Sequence, residues 1–376
     1  MAMMTKKVGI YIHVPFCRSK CYYCDFCSRT RADDETKALY VQRVCEEIED
    51  VAKRIGSDRP IADTVYFGGG TPTLLSAAQF GKIIGAVEQN FGVEKGAEIT
   101  AETNPKTADA QKLGDMRSVG INRLSIGMQS VHDNELRALG RVHTFSDFEK
   151  TFSDARRAGF DNISADLMYG IPEQTKKSFA ESINTLATLS PEHISSYSLT
   201  VEEGTPFWNR RNKLILPDEE TVSDMYLLMG DILRANGYEK YEISNFAHKS
   251  RESRHNLKYW RREDYLGFGP AAHSFFGGVR FAHSRDIEAY LRGENIIESS
   301  DTIAGGEAMD EYVMLGMRLS CGIDVEKFNS TFGVDFYERY GRTFERFAPE
   351  YVHIDKNACR FTDKGMLVSN YILSET

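Results

Sequence analysis

The first two-thirds of the chain alternates short apolar, β-rich runs with longer stretches of helical period. The apolar runs predict strands at 8–14, 64–67, 98–102, 123–127, 163–168 and 193–199. The stretches between them predict helices at 35–54, 77–90, 107–118, 145–158, 176–189 and 218–236. Six strand-to-helix units in succession are typical of a parallel sheet covered by helices. Because eight such units close a TIM barrel, six predict a partial (β/α)6 TIM-like barrel over residues 1–243.

The pattern changes after this predicted barrel. Residues 244–302 are rich in aromatic residues and glycine, and we expect an irregular connecting segment that lies against the barrel. From residue 303 the helical period returns at 307–319, 325–332 and 335–347, followed by strand-like runs at 351–354 and 358–361. Residues 303–376 therefore predict a small C-terminal α/β domain.

The net charge and the N-terminal segment bear on which binding partners and which cellular location are expected. Asp and Glu number 55 against 46 Lys and Arg, which gives a net charge of -9. We expect no nucleic-acid partner, since such partners usually require a basic face. Residues 1–8 carry Lys6 and Lys7 without the apolar core of a signal peptide, and no later run is long enough to span a bilayer. A cytoplasmic location is expected, with peripheral attachment to a membrane left open.

Four of the seven cysteines crowd into one loop directly after the first predicted strand. A tight cluster in a reduced compartment indicates metal binding rather than a disulfide framework. The spacing of Cys17, Cys21 and Cys24 lets one loop place three thiolates around a [4Fe-4S] cluster whose fourth iron stays open. A zinc site is the alternative, but zinc usually takes two cysteine pairs separated by a longer span. Three further cysteines are isolated and are expected to be buried apolar residues: Cys45, Cys321 and Cys359.

The C-x3-C-x2-C spacing, with aromatic Tyr23 just before the third cysteine, resembles the radical-SAM superfamily. The resemblance implies that the open iron chelates the amino and carboxylate groups of S-adenosylmethionine (SAM). It also implies that one electron cleaves the sulfonium and releases a 5′-deoxyadenosyl radical, while the protein positions the cofactor and excludes water. An electron donor such as flavodoxin or ferredoxin is implied as a partner.

Polar residues and glycines lie at the ends of the next predicted strands, where barrel chemistry gathers. The second strand ends in Gly68–Gly70, which lets the backbone approach a ligand closely. Glu102 ends the third strand, Gln129 and Arg141 follow the fourth, and Asp166 lies in the fifth. Each residue alone would be read as an ordinary structural group. Their recurrence at successive strand ends indicates one shared site.

Together these motifs resemble the coproporphyrinogen III oxidase-like radical-SAM family, from Tyr11 through a C-terminal region similar to the HemN C-terminal domain. The resemblance implies that the glycine run and Glu102 receive the methionine ammonium, that Arg141 pairs with its carboxylate, and that Asp166 accepts from the ribose hydroxyls. Further residues fall at positions that contact SAM in this family: Tyr11, Tyr23, Gly69, Gly70, Thr71, Gln129 and Thr200.

The oxidase branch of this family decarboxylates two propionates of coproporphyrinogen III. Its members carry a fourth cysteine two residues after the third, and a long N-terminal arm. Here that position is Phe26, the next cysteine is Cys27, and only sixteen residues precede Cys17. Both departures disfavour oxidase activity. Cys27 is read by default as a buried thiol, with a spare cluster ligand and a haem ligand as alternatives.

The HemW-type branch consists of haem chaperones, which are proposed to hand haem to membrane-bound haem proteins. Its mark is a His-Asn-x-x-Tyr-Trp motif, present here from His255 to Trp260. Because histidine is a usual axial ligand of haem iron, the resemblance implies that His255 binds haem. His248, His273 or His283 would supply a second ligand. The alternatives are the oxidase, or a radical-SAM enzyme for another tetrapyrrole reaction such as anaerobic haem degradation.

Overall fold

The computed structural model describes residues 6–376 and is organised around one twelve-stranded sheet. Six neighbouring strands of this sheet are parallel and follow chain order: β1 (Lys7–Val14), β2 (Ile61–Gly69), β3 (Val93–Thr103), β4 (Arg123–Gln129), β5 (Ile163–Tyr169) and β6 (His193–Ser198). The helices that follow these strands are α1 (Asp34–Ile55), α2 (Ala77–Phe91), α3 (Ala110–Ser118), α4 (Phe145–Arg157), α5 (Lys176–Leu189) and α6 (Glu219–Ala235). The predicted partial (β/α)6 barrel is confirmed. The first five residues of the predicted N-terminal segment lie outside the described residues.

Side-chain caps define where the barrel helices begin. Ser76 accepts from the backbone N–H of Gln79, and Gln79 returns a hydrogen bond to the Ser76 backbone, which forms a capping box at the start of α2. Asp109 caps α3 by accepting from the N–H of Lys112. The predicted start of this helix at residue 107 is therefore three residues early. Thr107 instead belongs to the turn after β3, where its hydroxyl donates to the Asn104 carbonyl.

Alternation along each strand separates the helix-facing side from the barrel interior. In β4, Leu124, Ile126 and Met128 are fully buried in the main apolar core. The intervening positions line the interior, and they are Arg123, Ser125, Gly127 and Gln129. Successive side chains of a strand point to opposite faces, so the polar residues of β4 collect in the lumen. On this strand the lumen side is therefore mainly polar, while the helix-facing side is apolar.

Residues 254–302 extend the barrel sheet at the β1 edge. Helix α7 (Arg254–Trp260) precedes β7 (Tyr265–Phe268), which pairs with β1 in parallel. Three antiparallel strands then continue the sheet: β8 (His273–Phe276), β9 (Val279–His283) and β10 (Ile297–Thr302). The expectation of an irregular segment is wrong here, because backbone pairing carries the sheet through a region whose side-chain pattern is not regular. At the opposite edge, Asn245–Ala247 pairs antiparallel with β6 and with Glu239–Lys240.

The C-terminal region forms a small α/β unit, as the predicted fold class requires. It contains helices α8 (Gly305–Gly316) and α9 (Val325–Phe332) and a three-stranded antiparallel sheet of β11 (Ile323–Asp324), β12 (Val352–Ile354) and β13 (Ala358–Phe361). Further helical turns cover Tyr337–Gly341, Arg342–Glu345, Asp363–Leu367 and Ser369–Ser374. Asp363 joins this unit to the barrel through ion pairs with Arg234 and Lys240. Across residues 6–376, none of the helices has the length and apolar character needed to cross a membrane.

Candidate functional site

A cavity of about 730 Å³ opens at the carboxyl ends of the barrel strands and continues into the lumen. Its wall brings together most of the residues that the sequence singles out, and these are Cys17, Cys21, Tyr23, Cys24, Gly69, Gly70, Thr71, Glu102, Gln129, Arg141, Asp166 and Thr200. Two predicted site residues, Tyr11 and His255, are absent from its lining. The predicted convergence of strand ends on one site is therefore present in the structure.

The cysteine loop forms one side of this cavity. It starts at Phe16–Cys17, which pairs with Arg29–Thr30, and its tip turns where the N–H of Cys24 donates to the Cys21 carbonyl. Within residues 6–376, no three His, Cys, Asp or Glu side chains are grouped as one metal ion requires. A cubane cluster takes each thiolate on a different iron, so three cysteines spread along one cavity wall fit it.

Cys27 does not line the cavity. Its thiol is buried and donates to the Arg285 carbonyl at 3.3 Å, and burial raises its pKa. Nearby, Arg285 forms an ion pair with Asp25, with Nη1 3.1 Å from Oδ2. These contacts from Asp25 and Cys27 attach the cysteine loop to the segment after β9. This arrangement agrees with the default reading of Cys27 as a buried thiol.

Two glycines of the second strand end are required by close backbone approach. Gly69 has φ +102°, and a Cβ there would lie 2.5 Å from the His13 ring. A Cβ on Gly70 would lie 2.6 Å from the carbonyl oxygen of Phe16. The Nε2 of His13 donates to the Cys27 carbonyl at 2.8 Å, so the glycine run, β1 and the cysteine loop are packed together. A larger residue at Gly69 would press on the His13 ring, and one at Gly70 would press on the backbone where the cysteine loop begins.

A chain of hydrogen bonds connects the far side of the cavity to a cysteine. Arg141 Nη1 donates to Asn104 Oδ1 at 2.8 Å, and Asn104 Nδ2 donates to Thr71 Oγ1 at 2.9 Å. Thr71 Oγ1 in turn donates to Cys17 Sγ at 3.7 Å. The sequence reading missed Asn104. Its signal was the Asn-Pro pair directly after β3, which also reads as a plain turn.

Arg141 is half-buried, and its guanidinium still has donors to offer. Its Nε has no hydrogen-bond partner among the described residues. Burial alone would lower its pKa, but Tyr23, Cys21 and Asp166 outweigh that effect and raise it. A half-buried cation with an unpaired N–H, lining the cavity beside a polar wall, suits a carboxylate.

Glu102 holds a proton more tightly than an ordinary glutamate does. Its Oε1 accepts from the Tyr66 hydroxyl at 3.0 Å and its Oε2 accepts from the Gly69 N–H at 3.1 Å. Burial, followed by the nearby Asp166 carboxyl, raises the pKa of Glu102 to about 7. A positively charged ligand group beside Glu102 would favour its ionised form.

Asp166 lies deeper in the lumen than the cysteine loop. Its Oδ1 accepts from the Ser125 hydroxyl at 2.9 Å, and burial raises its pKa. Gln129, at the end of β4, is buried and has φ +68°, a left-handed conformation that is uncommon for residues other than glycine. Backbone strain of this kind collects at functional sites. Gln129 is buried and Asp166 is half-buried, and both line the cavity as expected of ligand contacts.

Tyr11 lies behind the cavity wall. Its hydroxyl is 3.2 Å from His13 Nδ1, and its ring stacks on that of Tyr66 with centroids 6.2 Å apart. It is a neighbour of Tyr66, which lines the cavity. Contact between Tyr11 and SAM stays a prediction.

His255 is buried inside the barrel and only 1% exposed. Its Nδ1 is hydrogen-bonded to Thr64 Oγ1 at 2.7 Å and its Nε2 to the Tyr259 hydroxyl at 2.8 Å. Burial, with Lys258 and Arg123 nearby, lowers its pKa to about 3, so the ring is neutral. Ligation of haem iron by His255 stays a prediction, and it requires that one of these hydrogen bonds be broken. The next residue, Asn256, does line the cavity.

The three other predicted haem-ligand candidates differ in accessibility. His273 is exposed on β8. His283 is buried and hydrogen-bonded to the Gly269 carbonyl at 2.9 Å. His248 stacks on Tyr238, with ring centroids 4.1 Å apart, and its Nδ1 is 3.0 Å from the Gly237 carbonyl. Only His273 of these three presents an exposed side chain.

The fold and the cysteine-lined cavity define a radical-SAM protein. Residues 11–186 match the family model of the Radical SAM superfamily, and residues 305–368 match that of the HemN C-terminal domain. Among curated proteins, the heme chaperone HemW of Bacillus subtilis (strain 168) is 35% identical and the alignment covers 96% of this chain and 97% of that protein. The HemW of Lactococcus lactis (strain IL1403) is 32% identical, with 99% and 98% covered. The chain belongs to the HemW family of radical-SAM proteins.

Among solved structures, coproporphyrinogen III oxidase (HemN) from Escherichia coli, described as a radical SAM enzyme, has a TM-score of 0.84 to this chain. The match covers 98% of this chain and 90% of that chain at 23% sequence identity. At that identity the similarity establishes a shared fold and leaves the activity open.

Proposed function

We propose that this protein is a radical-SAM haem chaperone that binds a [4Fe-4S] cluster, SAM and haem, and that delivers haem to acceptor proteins. The observation that carries the proposal is similarity over nearly the whole chain to proteins named heme chaperone HemW. The cavity supports it, because three cysteines and a set of half-buried charged residues share one wall. Cys17, Cys21 and Cys24 hold the cluster, whose open iron supplies the binding position for SAM.

SAM occupies the cavity between the cysteine loop and the ends of β2 to β6. Arg141 pairs with the SAM carboxylate through the N–H groups that Asn104 leaves free. Glu102 and the backbone of Gly69 and Gly70 receive the ammonium, and Asp166 accepts from the ribose hydroxyls. Arg141, Glu102 and Asp166 are each half-buried, which strengthens these contacts, since the local dielectric is lower than that of water.

Haem binding is proposed to use His255 or His273. His255 is reached only if helix α7 moves, because Thr64 and Tyr259 hold both ring nitrogens. His273 is exposed and needs no such movement. The protein acts in the cytoplasm, takes an electron from a donor such as flavodoxin or ferredoxin, and meets haem acceptors that include membrane-bound proteins.

The oxidase alternative is disfavoured by the shape of the cysteine loop. At the position two residues after Cys24, where oxidases carry a fourth cysteine, this chain has Phe26 with 63% of its side chain exposed. Cys27 does not replace that cysteine, because its thiol is committed to the Arg285 carbonyl outside the cavity. A bulky exposed ring and a buried thiol thus stand where the oxidase pattern requires a free cysteine.

Haem titration after anaerobic reconstitution tests the proposal. The protein with its cluster should bind one haem per chain with a defined Soret band. His255→Gln keeps side-chain hydrogen-bonding groups in the barrel and should shift that band if His255 is the ligand, and His273→Gln should shift it if His273 is. His353→Gln, in the C-terminal unit, is the matched control and should leave the band unchanged. Haem binding that never saturates at a fixed stoichiometry would contradict the proposal.

A further inference from the structure

Among residues 6–376, Arg123 is the largest side chain that is fully buried, at 1% exposure. Among the described residues, its Nε and Nη1 have no hydrogen-bond partner and its guanidinium has no carboxylate within 4.0 Å. An arginine keeps its charge in proteins and presents five N–H donors. Burying such a group without hydrogen-bond partners carries a large free-energy penalty. The unpaired N–H groups therefore indicate that a ligand accepts their hydrogen bonds.

The guanidinium belongs to the floor of the lumen. Arg123 begins β4 and lines the same continuous cavity as Gln129, which ends that strand six residues later. At about 3.3 Å per residue, the two backbone positions are about 20 Å apart. Arg123 is therefore far from the cysteine loop. It lies two residues along β4 from Ser125, which is the strand partner of Glu102 and donates to Asp166, so the floor adjoins the deeper end of the proposed SAM site.

Among the described residues around this floor, none hydrogen-bonds to the Nε or Nη1 of Arg123, and Glu102 and Asp166 interact with its charge without bonding to these nitrogens. His193 is neutral, since burial lowers its pKa and its ring nitrogens are hydrogen-bonded to Ser164 and Tyr241. His255 is also neutral. The nearest acids in the lumen, Glu102 and Asp166, accept hydrogen bonds from other residues, as described above.

We infer that the floor of the barrel lumen is a binding site for a carboxylate, with Arg123 as its anchor. The planar fork of arginine matches the two oxygens of a carboxylate. A doubly charged phosphate is disfavoured, because Glu102 and Asp166 also face the lumen and repel the extra charge. The carboxylate comes either from a propionate arm of haem or from a free small acid. The first source rests on the proposed haem function, and the second source does not.

Two pairs of probes separate these sources. Haem is compared with haem dimethyl ester, whose propionates are blocked, by Soret titration. Propionate is compared with neutral propionamide by the thermal midpoint Tm at matched ionic strength, since a ligand that binds only the folded state raises Tm. Each probe is applied to the wild type, to Arg123→Gln, and to Lys106→Gln, which removes an exposed cation at the rim of the same cavity.

In the wild type we expect haem to bind about tenfold tighter than its ester, or propionate to raise Tm where propionamide does not. Arg123→Gln should lose that preference, Lys106→Gln should keep it, and Arg123→Lys should restore part of it. If only haem is preferred over its dimethyl ester, the carboxylate is a propionate arm of haem. If propionate is preferred over propionamide, the carboxylate is a free acid. Either result supports the site.

The inference is overturned if Arg123→Gln keeps the wild-type preference for haem over its ester and for propionate over propionamide. This holds even if the protein binds haem. It is also overturned if Arg123→Gln weakens SAM binding as strongly as Arg141→Ala does, because Arg123 would then belong to the SAM site. Without a ligand, the loss of an unpaired buried charge should leave Tm equal or higher. If Arg123→Gln fails to fold, Arg123→Met provides the same comparison. A protein that binds no haem but shows the propionate effect refutes the proposed function and leaves this site standing.

Discussion

Arg141 donates a 2.8 Å hydrogen bond to Asn104, and through this contact the proposed carboxylate anchor is connected to the cysteine loop. Asn104 passes the connection to Thr71, whose hydroxyl reaches the sulfur of Cys17. Two functions that the sequence assigns to separate motifs, cluster binding and SAM binding, thus share one hydrogen-bonded wall. Changes at either end should therefore be felt at the other.

SAM affinity should depend strongly on Arg141. Loss of a charge-assisted hydrogen bond costs about 1.5–3 kcal/mol, so Arg141→Ala should weaken SAM binding by about tenfold or more. Asn104→Ala should weaken it less, since it removes the orienting partner and leaves the charge. Calorimetry on reconstituted protein measures both effects. Arg137→Ala, which removes an exposed arginine four residues away, is the control, and equal affinities in all three variants would contradict the assignment.

Cluster content should follow the three cavity cysteines and not Cys27. After anaerobic reconstitution, the wild type should contain about four irons and four sulfides per chain. Cys17→Ala, Cys21→Ala and Cys24→Ala should each abolish the visible absorbance of the cluster. Cys27→Ala should keep it, because that thiol is bonded to Arg285 outside the cavity. A cluster lost in Cys27→Ala and retained in Cys21→Ala would reverse the ligand assignment.

The periodicity of the sequence was sufficient to predict the barrel, because each strand is buried on its helix-facing side and the helices have clear caps. Local patterns also placed the cysteine loop at the cavity, because the spacing of its cysteines is a property of consecutive residues, while their role as cluster ligands stays a prediction. The roles of Asn104 and Arg123 were not predictable in this way. A single polar residue at a strand end or start has no local signature, and its importance comes from contacts between strands that are distant in sequence. The environment of His255 was not predictable for the same reason, since its Nδ1 is hydrogen-bonded to Thr64, which is 191 positions away in the sequence.

The pH dependence of stability should reveal the raised pKa of Glu102. Its folded pKa of about 7 exceeds the ordinary value of 4.5, so the folded state binds the proton more tightly than the unfolded state. The stabilisation from this proton is complete below pH 4.5 and is lost as the pH rises through 7. Relative to Glu102→Gln, the wild type should lose on the order of 3 kcal/mol of unfolding free energy between pH 4.5 and 8.

Urea unfolding of the two proteins at a series of pH values measures this difference. Glu149→Gln, on the exposed side of α4, is the control for a change of net charge. A difference between the wild type and Glu102→Gln that is constant over this pH range would show that Glu102 ionises normally.

His255 should matter for stability whatever its role in haem binding. Its ring packs on Tyr66, with centroids 5.2 Å apart, and it is hydrogen-bonded to Thr64 and Tyr259. His255→Ala leaves a cavity and two unpaired hydroxyl groups, so it should lower the unfolding free energy by about 3 kcal/mol. His255→Gln should cost less. Denaturant unfolding measures both variants, and a His255→Ala protein as stable as the wild type would contradict the buried position of the ring.

The most direct test of the central claim places haem binding and decarboxylation in one experiment. Reconstituted protein with a full cluster is given SAM, a reductant and coproporphyrinogen III, and the same preparation is titrated with haem. The haem-chaperone account predicts a saturable Soret band and no protoporphyrinogen, with haem recovered intact. Formation of protoporphyrinogen, or of an opened haem ring, would contradict that account and identify the protein as an enzyme acting on tetrapyrroles.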